Sequence, residues 1–169
     1  CLKGTRALVL GDMVADIYLD GRISRISREA PVLVLEEMGE RVVAGGAANV
    51  AHNLALLGTN VSIAGYVGDD AHCKSLFDKF STRGIDYAGL VRTDRPTTTK
   101  IRIIGGHQQM LRLDFEDVKP IDGADAEQYL AYIEQKLSES MDCVIISDYG
   151  KGSCTEYACQ RIIRLAHDH

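Results

Sequence analysis

Gly45-Gly46-Ala47-Ala48-Asn49-Val50-Ala51 is the stretch of this chain that predicts most about its architecture. Two adjacent glycines carry no Cβ atom, so their backbone can approach another group very closely. Apolar side chains follow at helical spacing, and Gly58 comes where a helix favours a left-handed C-terminal residue. We therefore expect the glycines at a helix N-terminus, where free N–H groups and the dipole favour oxygen-rich, often anionic ligands. A plain loop-to-helix junction, with glycines only for tight packing, is the alternative.

Strand and helix patterns alternate on both sides of this stretch. Apolar runs over residues 6–11, 61–68 and 143–147 are typical of strands that are buried on both faces. Asp70 is expected to cap the second helix. This alternation predicts an α/β fold, in which helices cover a mainly parallel sheet.

The last helix has its own start signal. Ser153 and Glu156 have the spacing of a capping box. The helix that they begin is expected to bury Ala158, Ile162, Leu165 and Ala166.

One segment before the glycine pair interrupts the alternation. A connection from a strand to a helix usually takes about 2–6 residues. Here residues 16–43 contain two strand-like runs, 17–22 and 32–36, separated by a polar stretch. An apolar excursion just before a ligand loop is typical of a lid over a site. It could also be an interface, because a small sheet that stands off the core must cover its second face.

A second interruption reads as a hairpin. Residues 97–104 and 108–116 are two strand patterns joined at Gly105-Gly106-His107. We expect the segments of about 16–43 and 96–116 to build one protruding β-lid.

Carboxylates follow the first predicted strand. Asp12 comes directly after it and Asp16 four residues later. Ligands of open α/β sheets bind beyond the carboxyl ends of the strands, and a carboxylate, which only accepts hydrogen bonds, suits the hydroxyls of a sugar. Asn49 adds a side chain that can both donate and accept. The alternative is that Asp12 caps a turn and Asp16 is solvated.

Cations on the predicted hairpin complete the candidate site. Strand alternation places Lys100 and Arg102 on one face, and Arg112 on the same surface of the returning strand. They could bind a phosphate, or they could pair with Asp114 and Glu116 on a solvated face. Carboxylates for hydroxyls and cations for a phosphate together suggest a sugar phosphate ligand. The candidate substrate-binding residues are Asp12, Asp16, Gly45, Gly46, Asn49, Lys100, Arg102, Arg112, Asp148 and Lys151.

Composition and absent motifs exclude several other classes. The 169 residues carry a net charge of −5 without a basic run, which argues against a nucleic-acid partner. No stretch is long and apolar enough for a membrane span and no signal peptide is recognisable, so we expect a cytoplasmic protein. The five cysteines form no CxxC pair, and we expect reduced thiols and no metal site. Neither a GxxxxGK[ST] nor a GxGxxG nucleotide motif is present, and the scattered histidines argue against a hydrolase triad.

Three motifs resemble the N-terminal half of the ribokinase-type (phosphofructokinase-B) carbohydrate kinases. They are Gly11-Asp12-x-x-x-Asp16, the Gly45–Ala51 loop and Gly65-x-x-Gly68-x-Asp70. Three further stretches narrow the resemblance to the heptose 7-phosphate kinase domains of bifunctional ADP-heptose synthases of Gram-negative bacteria. They are Ser24-Arg25-Ile26-Ser27-x-Glu29-Ala30-Pro31-Val32, Gln108-Gln109-x-x-Arg112-Leu113-Asp114-Phe115-Glu116 and Ser147-Asp148-Tyr149-x-Lys151-Gly152.

The resemblance implies a reaction and its cofactors. ATP, with Mg²⁺, would phosphorylate the anomeric hydroxyl of D-glycero-D-manno-heptose 7-phosphate, for ADP-heptose and lipopolysaccharide core synthesis. Sugar hydroxyls would be held by Asp12, Asp16, Gly45, Gly46 and Asn49. The resemblance also implies a homodimer through the lid. Another ribokinase-type sugar or sugar-phosphate kinase, or a non-catalytic sugar-binding or dimerising module, are the alternatives.

One segment of the family is absent from this sequence. The Gly-Ala-Gly-Asp-type segment that carries the catalytic base of these kinases does not occur here. Residues 1–169 are therefore expected to be the N-terminal part of a kinase domain, with both ends cut edges. The general base and most of the ATP site would lie beyond His169, and the chain alone would be inactive.

Overall fold

Two four-stranded sheets and four helices make up the fold in the computed structural model, which describes residues 2–168. Cys1 and His169 lie outside the described residues. The elements are β1 (Arg6–Gly11), β2 (Met13–Ile26), β3 (Leu33–Gly45), α1 (Gly46–Leu56), β4 (Asn60–Gly68), α2 (Ala71–Thr82), β5 (Asp86–Thr93), β6 (Thr99–Gly105), β7 (Gln108–Phe115), α3 (Gly123–Ser138), β8 (Cys143–Ser147) and α4 (Glu156–Asp168).

The main sheet has the strand order β5-β4-β1-β8, and all its neighbouring strands are parallel. Side chains of β1 alternate between two cores. Val9 packs among residues of α1 and α2, whereas Leu8 and Leu10 pack among residues of α3 and α4. Helices therefore cover both faces of a parallel sheet, which confirms the predicted α/β fold.

The second sheet, called the lid sheet below, has the strand order β3-β2-β6-β7. It contains both segments that were predicted to form a β-lid. Strand β2 pairs with β3 and β6 with β7 in antiparallel fashion, and β2 pairs with β6 in parallel. Both β2 and β3 are longer than the short apolar runs predicted for them. One face of this sheet is exposed to solvent, so polar residues alternate with apolar ones along both strands. Apolar runs alone therefore underestimate the length of these strands.

The first two helices begin and end as predicted. Gly45 is the N-cap of α1, and Gly58, just beyond its C-terminus, has a φ of +89°. In α2 the Asp70 side chain accepts a hydrogen bond from the Cys73 N–H at 2.8 Å.

The predicted capping box of the last helix is wrong. Thr155 caps α4, because its Oγ1 accepts the Ala158 N–H at 3.1 Å and its carbonyl accepts the Cys159 N–H at 2.9 Å. Ser153 is buried instead, two residues before the cap.

Burial along α4 matches the prediction only in part. Ala158 and Ile162 are buried, but Leu165 is half-buried and Ala166 is exposed. Leu165 still packs against the core that Ala158 and Ile162 share with residues of α3.

Two further features bear on the predicted class of protein. None of the helices in residues 2–168 has the length and hydropathy that crossing a membrane requires. The four cysteines in that part of the chain carry free thiols, and of these only Cys73 is buried.

Candidate functional site

A crevice of about 350 Å³ lies between the N-terminus of α1 and the lid sheet. It forms because β1 and β3 both end at the start of α1, so that side chains near the base of the lid face the helix N-terminus. Six of the ten predicted site residues line this crevice: Asp16, Gly45, Gly46, Asn49, Lys100 and Arg102.

Glycine is required at positions 45 and 46 because other atoms lie too close to the backbone there for a side chain to fit. A Cβ atom on Gly45 would lie 2.5 Å from the Asp16 Oδ2. On Gly46, whose φ is +55°, a Cβ atom would meet the Asp12 carbonyl oxygen. Tight packing and access for a ligand therefore occur together here. The absence of side chains admits the Asp16 carboxylate and lets the first turn of α1 line the crevice, although its Ala47 N–H is already bonded to the Asp12 carbonyl.

Asp16 is held by a cation of the lid sheet. Arg102 Nη1 donates to its Oδ1 at 2.5 Å, and each of the two side chains is about one-fifth exposed (21%). The hydrogen bond from this guanidinium to Asp16 raises the pKa of Arg102, against the opposing effect of burial. One carboxylate oxygen of Asp16 is thus committed to Arg102, and the other lies beside Gly45.

Strand register places one row of cations across the lid sheet, called the arginine row below. Arg41 pairs with Tyr18, Tyr18 with Arg102, and Arg102 with Arg112, one residue from each of the four strands. The Arg41 and Arg102 guanidiniums lie 4.2 and 5.2 Å from the centre of the Tyr18 ring. Like charges on directly opposed residues destabilise a sheet, so Arg102 and Arg112 need anionic partners.

Carboxylates supply part of that compensation. Arg112 binds Asp114 through Nε at 2.8 Å and Nη2 at 3.0 Å. Lys100 binds Asp114 at 3.1 Å and Glu116 at 3.8 Å. The hydrogen bond from Lys100 and that from Arg112 lower the pKa of Asp114. These ion pairs match the predicted alternative to a phosphate site, in which the cations pair with Asp114 and Glu116.

Asp12 does not line the crevice, and the residue is only 1% exposed. It accepts backbone N–H groups of Tyr149 at 2.8 Å, Lys151 at 3.0 Å and Ser153 at 3.1 Å. The contact of Asp12 with a sugar hydroxyl stays a prediction. The structure assigns the carboxylate to the loop after β8.

The two remaining predicted residues belong to the same loop. The Asp148 side chain accepts the Gly150 N–H at 2.8 Å and does not line the crevice. Lys151 Nζ lies 2.9 Å from Glu116 Oε2, in an ion pair that joins the loop to the end of the lid sheet.

Sequence reasoning missed two aromatic residues of the crevice, Tyr18 and Tyr149. Tyr18 could have been found, since it lies two residues after Asp16 on a strand and so shares its face. Tyr149 could not have been found in this way. Its position depends on hydrogen bonds between its loop and Asp12, which lies near the other end of the sequence.

Within residues 2–168, no group of three or more His, Cys, Asp or Glu side chains could hold a metal ion. We assign neither a metal ion nor a nucleotide to residues of this chain.

Comparisons with known proteins give matches along nearly the whole chain. The model of the pfkB family carbohydrate kinases matches residues 5–169. The bifunctional protein HldE of Helicobacter pylori strain J99 is 45% identical over 165 residues, which cover 97% of this chain and 35% of that protein. HldE of Wolinella succinogenes is 43% identical over 160 residues, 94% of this chain and 34% of that protein. The chain therefore spans about a third of the length of these relatives.

Solved structures share the fold at low sequence identity. Phosphofructokinase-2 from Escherichia coli, in a tetrameric inhibited form, is 16% identical with a TM-score of 0.69, covering 98% of this chain and 52% of that one. A carbohydrate kinase from Agrobacterium tumefaciens is 18% identical with a TM-score of 0.64, covering 97% and 50%.

Proposed function

The chain belongs to the pfkB family of carbohydrate kinases, and from this we propose that the intact protein phosphorylates D-glycero-D-manno-heptose 7-phosphate at its anomeric hydroxyl. The phosphoryl donor would be ATP with Mg²⁺, and the product would serve ADP-heptose and lipopolysaccharide core synthesis in the cytoplasm. The observation that carries the proposal is the crevice. It brings a carboxylate (Asp16), an amide side chain (Asn49) and a helix N-terminus together with Arg102, the guanidinium in the interior of the arginine row.

The side of the crevice nearest α1 is proposed to bind the hydroxyls of the sugar. We propose that Asp16 accepts a hydrogen bond from the sugar, while Asn49 donates or accepts and the open N-terminus of α1 binds oxygen atoms. In phosphoryl transfer the protein contributes chiefly by positioning the acceptor and neutralising charge. Residues that fix the sugar ring therefore determine how well its anomeric hydroxyl meets the donor phosphate.

The side of the crevice formed by the lid sheet is proposed to bind the phosphate of the substrate. We propose that Lys100, Arg102 and Arg112 bind the phosphate that the substrate already carries. The direct pairing of Arg102 with Arg112 in the arginine row supports this role for the two guanidiniums. Arginine binds phosphate in bidentate fashion, and an anion between Arg102 and Arg112 would relieve their repulsion. Lys100, held by Asp114 and Glu116, contributes positive charge nearby rather than a free donor. If Arg102→Ala and Arg112→Ala both left the KM for the sugar phosphate unchanged, this clamp would be wrong.

The lid sheet also has a face that the crevice does not use. Leu111, Leu113 and Phe115 point away from Arg112 and Asp114 and are 40–51% exposed. Contiguous exposed apolar side chains mark association surfaces. We propose that a second copy covers this face in a homodimer.

The substrate is tested with a panel of sugar phosphates on the intact protein. Thermal shift and ADP release are measured with heptose 7-phosphate, fructose 6-phosphate and ribose 5-phosphate, and with the corresponding free sugars. We expect the largest stabilisation and the highest kcat/KM with heptose 7-phosphate. Equal effects of all the sugar phosphates would remove the heptose assignment, and no effect of any sugar would favour a non-catalytic module.

A further inference from the structure

Asp12 is the point at which three parts of the chain meet. It is the single residue between β1 and β2. Its N–H donates to the Ser147 carbonyl at 3.2 Å, and its own carbonyl accepts the Ala47 N–H at 2.9 Å. Its backbone thus binds the end of β8 and the start of α1, while its side chain binds the loop that follows β8.

That loop, Asp148 to Ser153, is shaped around the carboxylate and is called the anchored loop below. Gly150 and Gly152 have φ values of +67° and +98°, a conformation that residues with a Cβ atom rarely adopt. The three N–H groups that Asp12 accepts belong to the residues on either side of these glycines. Alternate left-handed residues therefore turn alternate N–H groups towards one buried anion.

The anchored loop reaches the crevice at two places. Tyr149 lines the wall of the crevice. Lys151 carries the ion pair to Glu116, which also lies 3.8 Å from Lys100. A shift of this loop would therefore move a wall of the crevice and loosen its link to the lid sheet together.

We propose that Asp12 is a positioning residue, whose carboxylate fixes the anchored loop and thereby the crevice wall at Tyr149 and the Lys151–Glu116 link. The proposal rests on the proposed function, because it states what holds the sugar phosphate crevice in shape. It replaces a direct contact of Asp12 with the sugar. With three N–H groups bound and the residue only 1% exposed, the carboxylate acts on the substrate through the loop.

Asp12→Asn in the intact protein tests this role against Asp16→Asn. An amide can accept the N–H groups at only one of its two positions, so at least one of the three bonds is lost. We expect faster hydrogen exchange at the amides of residues 149–153 and about tenfold to a hundredfold weaker binding of heptose 7-phosphate. Asp16→Asn should weaken binding while exchange in the loop stays at the wild-type rate.

Each other result for Asp12→Asn contradicts the proposal. Weaker binding with unchanged exchange would make Asp12 a direct sugar contact. Faster exchange with affinity within about twofold of wild type would make the anchored loop irrelevant to binding.

A second variant covers the case in which Asp12→Asn does not fold. Gly150→Ala strains the loop at a φ of +67° without a steric clash, since no atom lies within 4 Å of the added Cβ. Gly84→Ala is the matched control, with a φ of +65° and equally open space, but at the end of α2 and away from the crevice. Only Gly150→Ala should speed exchange in the loop and weaken binding. Equal binding by the two variants would overturn the proposal.

The proposed function can fail separately. If wild type binds no heptose 7-phosphate, the substrate assignment is wrong, and the affinity measurement passes to whichever sugar of the panel stabilises the protein most. The exchange measurement needs no ligand. Unchanged exchange at residues 149–153 in Asp12→Asn would still contradict the positioning role.

Discussion

At the residue scale, the absence of a side chain at Gly45 leaves room for the carboxylate of Asp16. The Asp16 carboxylate occupies the space that a Cβ atom of residue 45 would fill, and this places it beside the N-terminus of α1. Asp16 is thus directed by Arg102 from one side and by the bare Gly45 backbone from the other.

Gly45→Ala is expected to displace the Asp16 carboxylate and raise the KM for the sugar phosphate about tenfold or more, since small misplacements of binding groups are costly. Gly39→Ala is the matched control on the same strand, because its added Cβ meets no atom within 4 Å. Steady-state kinetics of both variants of the intact protein provide the comparison. A KM for Gly45→Ala equal to that of Gly39→Ala would contradict the role given to this glycine.

At the scale of elements, Asp70 joins a helix to a strand. Its Oδ1 caps α2 at the Cys73 N–H, and its Oδ2 accepts the Thr97 N–H at 2.8 Å, just before β6. Burial works to raise the pKa of Asp70, but these donors outweigh it and the pKa is lowered. Because the folded pKa lies below the unfolded value, the stabilisation is complete above the unfolded pKa, near 4, and is lost as the pH falls through the folded pKa.

Asp70→Asn should therefore lower the free energy of unfolding by about 1 kcal/mol at pH 7, where the carboxylate bonds are intact. Below about pH 4 the difference from wild type should shrink, because the carboxyl of the unfolded chain takes up a proton there and the folded carboxyl follows at lower pH. Urea unfolding at several pH values measures both effects. Asp122→Asn serves as control, since Asp122 is the N-cap of α3 without a side-chain capping bond. A difference between wild type and Asp70→Asn that stays constant down to pH 3 would contradict this account.

At the scale of the whole molecule, the apolar face of the lid sheet predicts association. Leu113→Asp places a charge in the middle of that face and should convert a dimer to a monomer. Leu56→Asp alters another exposed leucine, at the end of α1 (54% exposed, against 40% for Leu113), and should leave the mass unchanged. Light scattering at micromolar protein distinguishes the two states. A monomeric mass for wild type would remove the proposed dimer.

The chain of 169 residues is itself expected to transfer no phosphoryl group to a sugar. Activation of the attacking hydroxyl needs a base within hydrogen-bond reach, and we assign no residue of this chain to that role. Asp16 is bonded to Arg102, and Asp12 is enclosed by the anchored loop. An ADP-release assay, on a chain shown by mass spectrometry to end at His169, tests this. Sugar-dependent turnover near that of an intact kinase would overturn our placement of the catalytic residues.

Local sequence patterns determined the elements of this protein and the side of the sheet where the site lies. Doubly buried strands, glycines at helix ends and the cap of α2 depend on residues a few positions apart, so their physics can be read along the chain. The same holds for the face shared by Lys100 and Arg102, which follows from strand alternation. The capping box of α4 failed because Thr155 competed for the same role.

Only the tertiary structure decided which partners the polar residues take. Asp16 meets Arg102 across 86 positions of sequence, and Asp12 meets Tyr149 across 137. Strand order and register create these contacts, and both arise from packing two sheets and four helices together rather than from any local preference. From the sequence alone, a carboxylate at the end of a strand could bind either a sugar hydroxyl or the N–H groups of a loop. In the folded protein Asp12 is buried among three N–H donors of the loop, and these contacts determine that it binds the loop.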